Sequence, residues 1–516
     1  MNFTPVVCSL ADLVGKDYLE AVCRARAALT GIETADLLRS ACEPVEFWPE
    51  SFQRRLHELL PLAGRSVSPS WMDGPAGAGP RGFCQAAKTG AAPLTGLGYF
   101  RVGQDGRLYV VSKSEHYHAS LGHAFPGFAL VERARALGIP NATHNNTRGP
   151  ITRRLEEDLV RAVAGLSPAD DLDAVLRSRE PGVLNRVLNL QTGSLAVEAA
   201  LKLALCRFYR HEAGGPEPAY RNRTPVVLVI GDDAGGLAGN YHGTTVLTQL
   251  LRGLWPEMRL QSAASGPLEV RAVQPNSIAD LEEAFQRFEK RPYKIAALVH
   301  EIVMMNYGAR RLTEDFLDRA YRLAGAHDVP TIADEIQSCA WYEGLFLFRQ
   351  YGLRPSMVAM GKGFTGGEYP ASRLLFAAPL DALPQFGALV TNGQEELASL
   401  AYLVTMKWVL ANGPAITAIG RRLEEEFQRL AADFPAQIAG VKGRGHLLGL
   451  RFHDLAAGPA LVEALDRMGL DISVQTYKKD CPPVALTKLP VIADDGLVDF
   501  VVDRMRQALR QTDGQE

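Results

Sequence analysis

At 516 residues, 47% hydrophobic and 22% charged with a formal net charge of −3, the chain has the composition of an ordinary globular protein of two or three packed units. No global basic excess points to nucleic acid, and no apolar run reaches the roughly 18 residues of a membrane span. The start, MNFTPVVCSLADLVGKDYLE, lacks a basic-then-apolar leader, and the seven cysteines are scattered without a C-x-x-C pair; a reducing cytoplasm and small-molecule partners are expected.

Residues 1–95 read as an N-terminal extension, because Pro and Gly accumulate in SVSPSWMDGPAGAGPRGF and the apolar spacing before it suggests only short helices. From Gly96 onward, YFRVGQDGRLYVV predicts two short strands around a Gly-Gln-Asp-Gly turn. Buried strands are predicted at 226–230, 295–300, 330–334, 357–361 and 373–377. Their alternation with amphipathic helices gives an α/β fold with a mostly parallel sheet covered on both faces. Between the second and third strands, Thr313 caps a helix whose first turn carries Glu314 and Asp315 and whose Phe316, Ala320 and Leu323 share a face. After about residue 400, Leu423, Phe427, Leu430 and Phe434 form a helical stripe. A strand-like HLLGLRF follows, and a last helix uses Leu497, Phe500, Val501, Met505 and Leu509, which suits a smaller α+β C-terminal domain.

Four segments carry chemistry. LNLQTGSLAVEAALKLA passes from a turn into a helix at Gly193 and Ser194; free N–H groups, a glycine and a hydroxyl make an anion site, although Thr192 or Ser194 serves equally well as a plain cap. GDDAGGLAGNYHGTT ends a strand in a glycine-rich loop carrying Tyr241 and His242, where an aromatic ring can stack on a flat heterocycle or simply fill the loop. VPTIADEIQ ends a strand in Asp334, and a carboxylate buried there needs a cation, a cap role or a metal. In MVAMGKGFTGGEYPAS, Lys362 sits between two glycines 28 residues after Asp334; an enclosed lysine forms imines, whereas an isolated G-K-G is more often a solvated loop.

In this order and spacing the segments resemble class III (ornithine/acetylornithine-like) aminotransferases, pyridoxal 5'-phosphate (PLP) enzymes of fold type I, from about Gly96 to the C-terminus. The resemblance implies a Schiff base on Lys362, which is also the general acid/base, and Asp334 on the pyridine nitrogen. It implies phosphate binding by Gly193 and Ser194, stacking by Tyr241 beside His242, and Gln337 near the ring's phenolic oxygen. VTNGQEELASLA stands where the family offers a threonine to the phosphate across a dimer interface, which points to Thr391 and a homodimer. It divides the chain into the extension (1–95), a small-domain part with the substrate entrance (96–150), a large PLP-binding domain (151–400) and a C-terminal small domain (401–516).

Two departures bear on substrate: HEIVMMNYGARRL replaces the family's Glu-Pro and glycine-rich run, and SCAWYEGLF replaces Gly-Phe-Gly-Arg-Thr-Gly. Tyr307, Arg310 and Trp341 are therefore candidate pocket residues. Lys488 in LTKLPVI stands where relatives use a carboxylate-binding arginine, and offers a point charge instead of a fork. In EHYHASLGH, His116 and His118 would share a face if the segment were a strand, as metal ligands do; without a carboxylate set, no metal is expected, and Tyr117 is a pocket-lining candidate. The expected activity is amino-group transfer from an amine or amino acid to a keto acid or aldehyde. The same residues also serve a PLP racemase, decarboxylase or lyase, and a non-catalytic PLP-fold scaffold is a further alternative.

Overall fold

Segments rich in Val, Ile and Leu pair into the central sheet of the computed structural model, which describes residues 3–144, 146–231, 240–475 and 483–513. In chain order its strands are β1 (Leu184–Leu190), β2 (Thr224–Ile230), β3 (Glu269–Val273), β4 (Tyr293–His300), β5 (Thr331–Asp334), β6 (Met357–Met360) and β7 (Ser372–Ala377). In space the order is β1-β7-β6-β5-β4-β2-β3, and β7 runs antiparallel to both of its neighbours while the other pairings are parallel. Side chains alternate across the pleat: Leu228, Leu298, Ala333 and Val358 enter one core, and Val227, Val229, Ile332 and Ala359 enter another beneath the helix Gly193–Leu205. A sheet buried on both faces leaves its carboxyl edge as the place where polar chemistry gathers.

The predicted hairpin is present as Phe100–Gly103 and Leu108–Val111; Pro93–Leu97 extends it on one side, and Leu470–Asp471 from the other end of the chain pairs parallel to it. A four-stranded antiparallel sheet, Ile438–Arg444, Leu447–Phe452, Val484–Thr487 and Ser473–Gln475, completes the C-terminal region. The stripe at Leu423, Phe427 and Leu430 belongs to a helix longer than predicted, Glu396–Asp433, which carries Pro414 inside it and runs through residue 401. Among the described residues, no helix is long and apolar enough to cross a membrane.

The N-terminal residues are folded. Helices Lys16–Thr30, Thr34–Cys42 and Glu50–Leu59 bury Leu19, Cys23, Leu37 and Leu56. Phe3, Trp48 and Phe125 surround Trp408 of the long helix with ring centroids 5.1–5.6 Å from its own. Residues 232–239 of the glycine-rich loop, and Cys481, lie outside the described residues.

Candidate active site

Asp334 is the last residue of β5, and β6 lies beside it in parallel register, with Asp334 opposite Ala359. Lys362, two residues beyond β6, therefore emerges at the same edge. Both line a cavity of about 540 Å³ together with Gly193, Ser194, Tyr241, His242 and Gln337. Asp334 is 5% exposed; its Oδ1 accepts the Ile336 N–H at 3.1 Å, and its Oδ2 lies 2.7 Å from His242 Nδ1. Among the described residues, His242 Nε2 is buried without a partner. A buried carboxylate fixed by two donors, with lone pairs to spare, is prepared for a further N–H.

Burial pulls the Lys362 amine below the usual lysine range, against the opposing pull of Glu301 and Asp334. Its backbone is left-handed, φ +43°, and the glycine after it is required by contact: a Cβ on Gly363 would lie 2.0 Å from the Trp341 ring. Glu301, just past the end of β4, accepts from Gln337 Nε2 at 2.9 Å, while Glu301 Oε2 and Gln337 Oε1 are buried without partners among the described residues. Burial, helped by Asp334, holds the Glu301 carboxyl far above the ordinary carboxylate range. Sequence reasoning named the segment that holds Glu301 but not the residue.

At the other end of the cavity the helix Gly193–Leu205 begins. Its N-cap Thr192 makes no side-chain cap, and no acidic residue stands in its first turn, so the first N–H groups are open to an anion. Ser194 Oγ accepts the Thr244 N–H at 3.1 Å. A side chain on Gly193 would strike Ile336 at 2.4 Å, and one on Gly243, φ +139°, would strike Ser194. Gln191, Thr365 and Tyr369 also line the cavity; Thr365 and Tyr369 lie in or beside the lysine loop, and nothing local in the sequence marks Gln191.

The remaining candidates stand elsewhere. Thr391 is exposed and does not line the cavity of its own chain. Tyr307 and Arg310 contact each other, guanidinium to ring centre 5.4 Å, where the strands Val303–Met304 and Arg310–Arg311 fold the segment onto itself away from the cavity lining. Trp341, Lys488 and Tyr117 form a buried layer behind the lysine: Lys488 Nζ lies 3.5 Å from the Trp341 ring centre and 5.1 Å from that of Tyr117, and Lys362 Nζ lies 5.3 Å from Tyr117. Lys488 Nζ donates to the Gln337 carbonyl at 2.5 Å, and burial, with Lys362 nearby, drives its pKa far down. It is a buried fastener of the Gln337 segment and not a surface of the cavity.

His116 and His118 do line the cavity, but not from a strand. Ser114, Glu115, His116 and Tyr117 all have left-handed backbones, φ +47° to +73°. Clasps hold this turn: Ser114 Oγ donates to the Lys488 carbonyl at 2.6 Å, and Glu115 pairs with Arg101 at 2.6 Å and with His123 at 2.9 Å. Arg101 also pairs with Asp471 at 2.7 Å.

Residues 95–509 match the aminotransferase class-III family. A 5-aminovalerate aminotransferase of Pseudomonas putida is 24% identical over 404 residues, covering 72% of this chain and 87% of the relative. An ornithine aminotransferase of Staphylococcus epidermidis is 27% identical, covering 59% and 72%. The solved ornithine aminotransferase of Toxoplasma gondii aligns with a TM-score of 0.66 at 20% identity, over 84% of this chain and 93% of that one, a likeness of fold.

Proposed function

The chain belongs to the class-III aminotransferase family, PLP-dependent transaminases of fold type I, and from that premise we propose that Lys362 is the amine that holds PLP and Asp334 the carboxylate on its ring nitrogen. The residues fit the group. The uncapped helix start at Gly193 and Ser194 suits a phosphate, the buried Asp334 carboxylate suits a protonated ring nitrogen, and the unpartnered Gln337 Oε1 sits in a buried polar pair that would flank the ring. Tyr241 supplies an aromatic face for the ring.

When bound, PLP supplies an aldehyde that captures amines and a conjugated ring that spreads the charge left when a substrate carbon loses its proton. Everything else falls to the chain. Lys362, made less basic by burial, takes the proton from the substrate Cα and returns one, a transfer typically worth about 10²–10⁴-fold in rate. Asp334, oriented by His242 and the Ile336 N–H, keeps a proton on the ring nitrogen. The helix start anchors the phosphate, so the reacting carbon stays within reach of Lys362.

The observation that carries the reading is the placement of Lys362 and Asp334 on one cavity at the ends of adjacent parallel strands. Lys362→Ala should abolish turnover and the near-visible absorbance that shifts when amines are added; retention of both would reject the assignment. The relatives' names suggest, for this chain, a donor with an amine at the end of a short carboxylate-bearing chain. A spectral screen of ω-amino and α-amino acids tests that, and a response confined to α-amino acids would count against it. Thr391, exposed on its own chain, is proposed to reach the phosphate site of a second copy in a homodimer, and the cytoplasm is the proposed location.

A further inference from the structure

Behind Trp341 lies a second cavity, of about 320 Å³, that the transamination site does not use. Three arginines line it, Arg311, Arg421 and Arg444; Arg311 and Arg421 are exposed, the Arg444 guanidinium lies 5.1 Å from the Tyr351 ring centre, and among the described residues none of the three lies within ion-pair distance of a carboxylate. Arginines gathered on one cavity, none of them in close contact with a carboxylate, suit a carboxylate or other oxyanion.

The rest of the lining asks for something more than an anion. His446 is 1% exposed, and its Nε2 lies 2.8 Å from the Ile416 carbonyl. A carbonyl only accepts, so Nε2 carries the proton and Nδ1 is a bare acceptor, buried and without a partner among the described residues. Burial lowers the His446 pKa to about 4, so the ring stays neutral. Thr417 Oγ1 is likewise buried and, among the described residues, unpartnered, and the carboxylates Glu314 and Glu424 also line the wall. A ligand that satisfies both sets offers an oxyanion to the arginines and N–H donors to His446 and the glutamates.

We propose that this cavity is a binding site for a free amino acid in its zwitterionic form. The carboxylate lies among Arg311, Arg421 and Arg444, and the ammonium donates to His446 Nδ1 and Glu424. Three arginines against two glutamates leave one net positive charge, which the side-chain carboxylate of an acidic amino acid neutralises. Trp341 lines this cavity, and its ring also carries Lys488 Nζ and abuts Gly363 beside Lys362, so one aromatic ring touches both this cavity and the lysine loop.

The test uses holoenzyme reduced with borohydride until its cofactor absorbance no longer responds to amines, so that the transamination site takes no further ligand. Calorimetric titration with L-glutamate should give saturable binding, and glutarate, which lacks the ammonium, and inorganic phosphate should each bind about tenfold more weakly or worse. In the Arg311→Ala/Arg421→Ala double variant, whose altered side chains are both exposed, glutamate affinity should fall by about tenfold while the unfolding midpoint stays unchanged. No saturation at millimolar glutamate, equal affinity for phosphate or glutarate, or unchanged affinity in the double variant would each overturn the proposal.

Discussion

Glu335 stands next to Asp334 in sequence and faces different surroundings. It accepts the Leu347 and Phe348 N–H groups at 3.2 and 2.6 Å and the Ser338 hydroxyl, and burial lifts its pKa from 4.5 to about 7. A folded pKa above the unfolded one means the native state binds the extra proton. The stabilisation is fully present below about pH 4.5 and is lost as pH rises through about 7. Urea midpoints at pH 5 and pH 8 should therefore differ more in the wild type than in Glu335→Gln, which cannot ionise; equal slopes would refute the shift. The residues that gather on the cavity were legible because each sits in a local segment whose spacing speaks for itself: the glycine before a helix, the carboxylate at a strand end, the lysine between glycines. Trp341 and Lys488 were legible as neighbours of the site but not as a layer behind it, since sequence order does not record depth. The left-handed turn at 114–117, which carries His116, had no signal at all, because non-glycine residues with positive φ carry no composition of their own.

At the scale of elements, the loop after β6 is set by contact with Trp341. Gly363→Ala would push a methyl group into that ring, an overpacking typically worth about 1–3 kcal/mol. The expected results are a lower thermal midpoint and weaker PLP retention in dialysis; if both stay at wild-type values, the loop is looser than its geometry implies. Thr313 accepts the Phe316 N–H at 3.3 Å as the cap of the helix Glu314–Ala326. Thr313→Ala should lower unfolding stability by about 1 kcal/mol in denaturant titration without altering cofactor absorbance. The interior strands of the sheet were readable from their apolar runs, but β1 and β3 were not. Both are edge strands, LNRVLNL and EVRAV, whose polar residues break the run. The first half of the helix Glu396–Asp433 was missed for the opposite reason. It is buried on nearly every side, so it lacks a contrast between faces, and Pro414 imitates a stop.

For the whole molecule, the residues ahead of the family match are structural. The helix Leu10–Val14, with Leu10 and Leu13 buried in the core, packs against the helices Ala129–Ala136, Pro150–Ala164 and Glu396–Asp433, and Trp48 packs against Trp408 of the last of these. Removing residues 1–62 would expose that apolar face. The shortened protein should elute as aggregate in size-exclusion chromatography or unfold on the order of 10 °C lower; a monodisperse product with an unchanged midpoint would make the segment a dispensable appendage. Composition hid this role, because the proline- and glycine-rich stretch at 66–83 makes its folded neighbours look like a tail.

The four left-handed residues at 114–117 have a consequence of their own. Backbones of this kind cost about 1–3 kcal/mol each, so the rim that presents the two histidines is not the shape its residues would choose unaided. Arg101 and the Lys488 carbonyl impose it, and Arg101 is anchored in turn to Asp471 near the other terminus. The stretch of cavity wall that His116 and His118 form thus takes its shape from the strand Phe100–Gly103, which lies outside the turn itself.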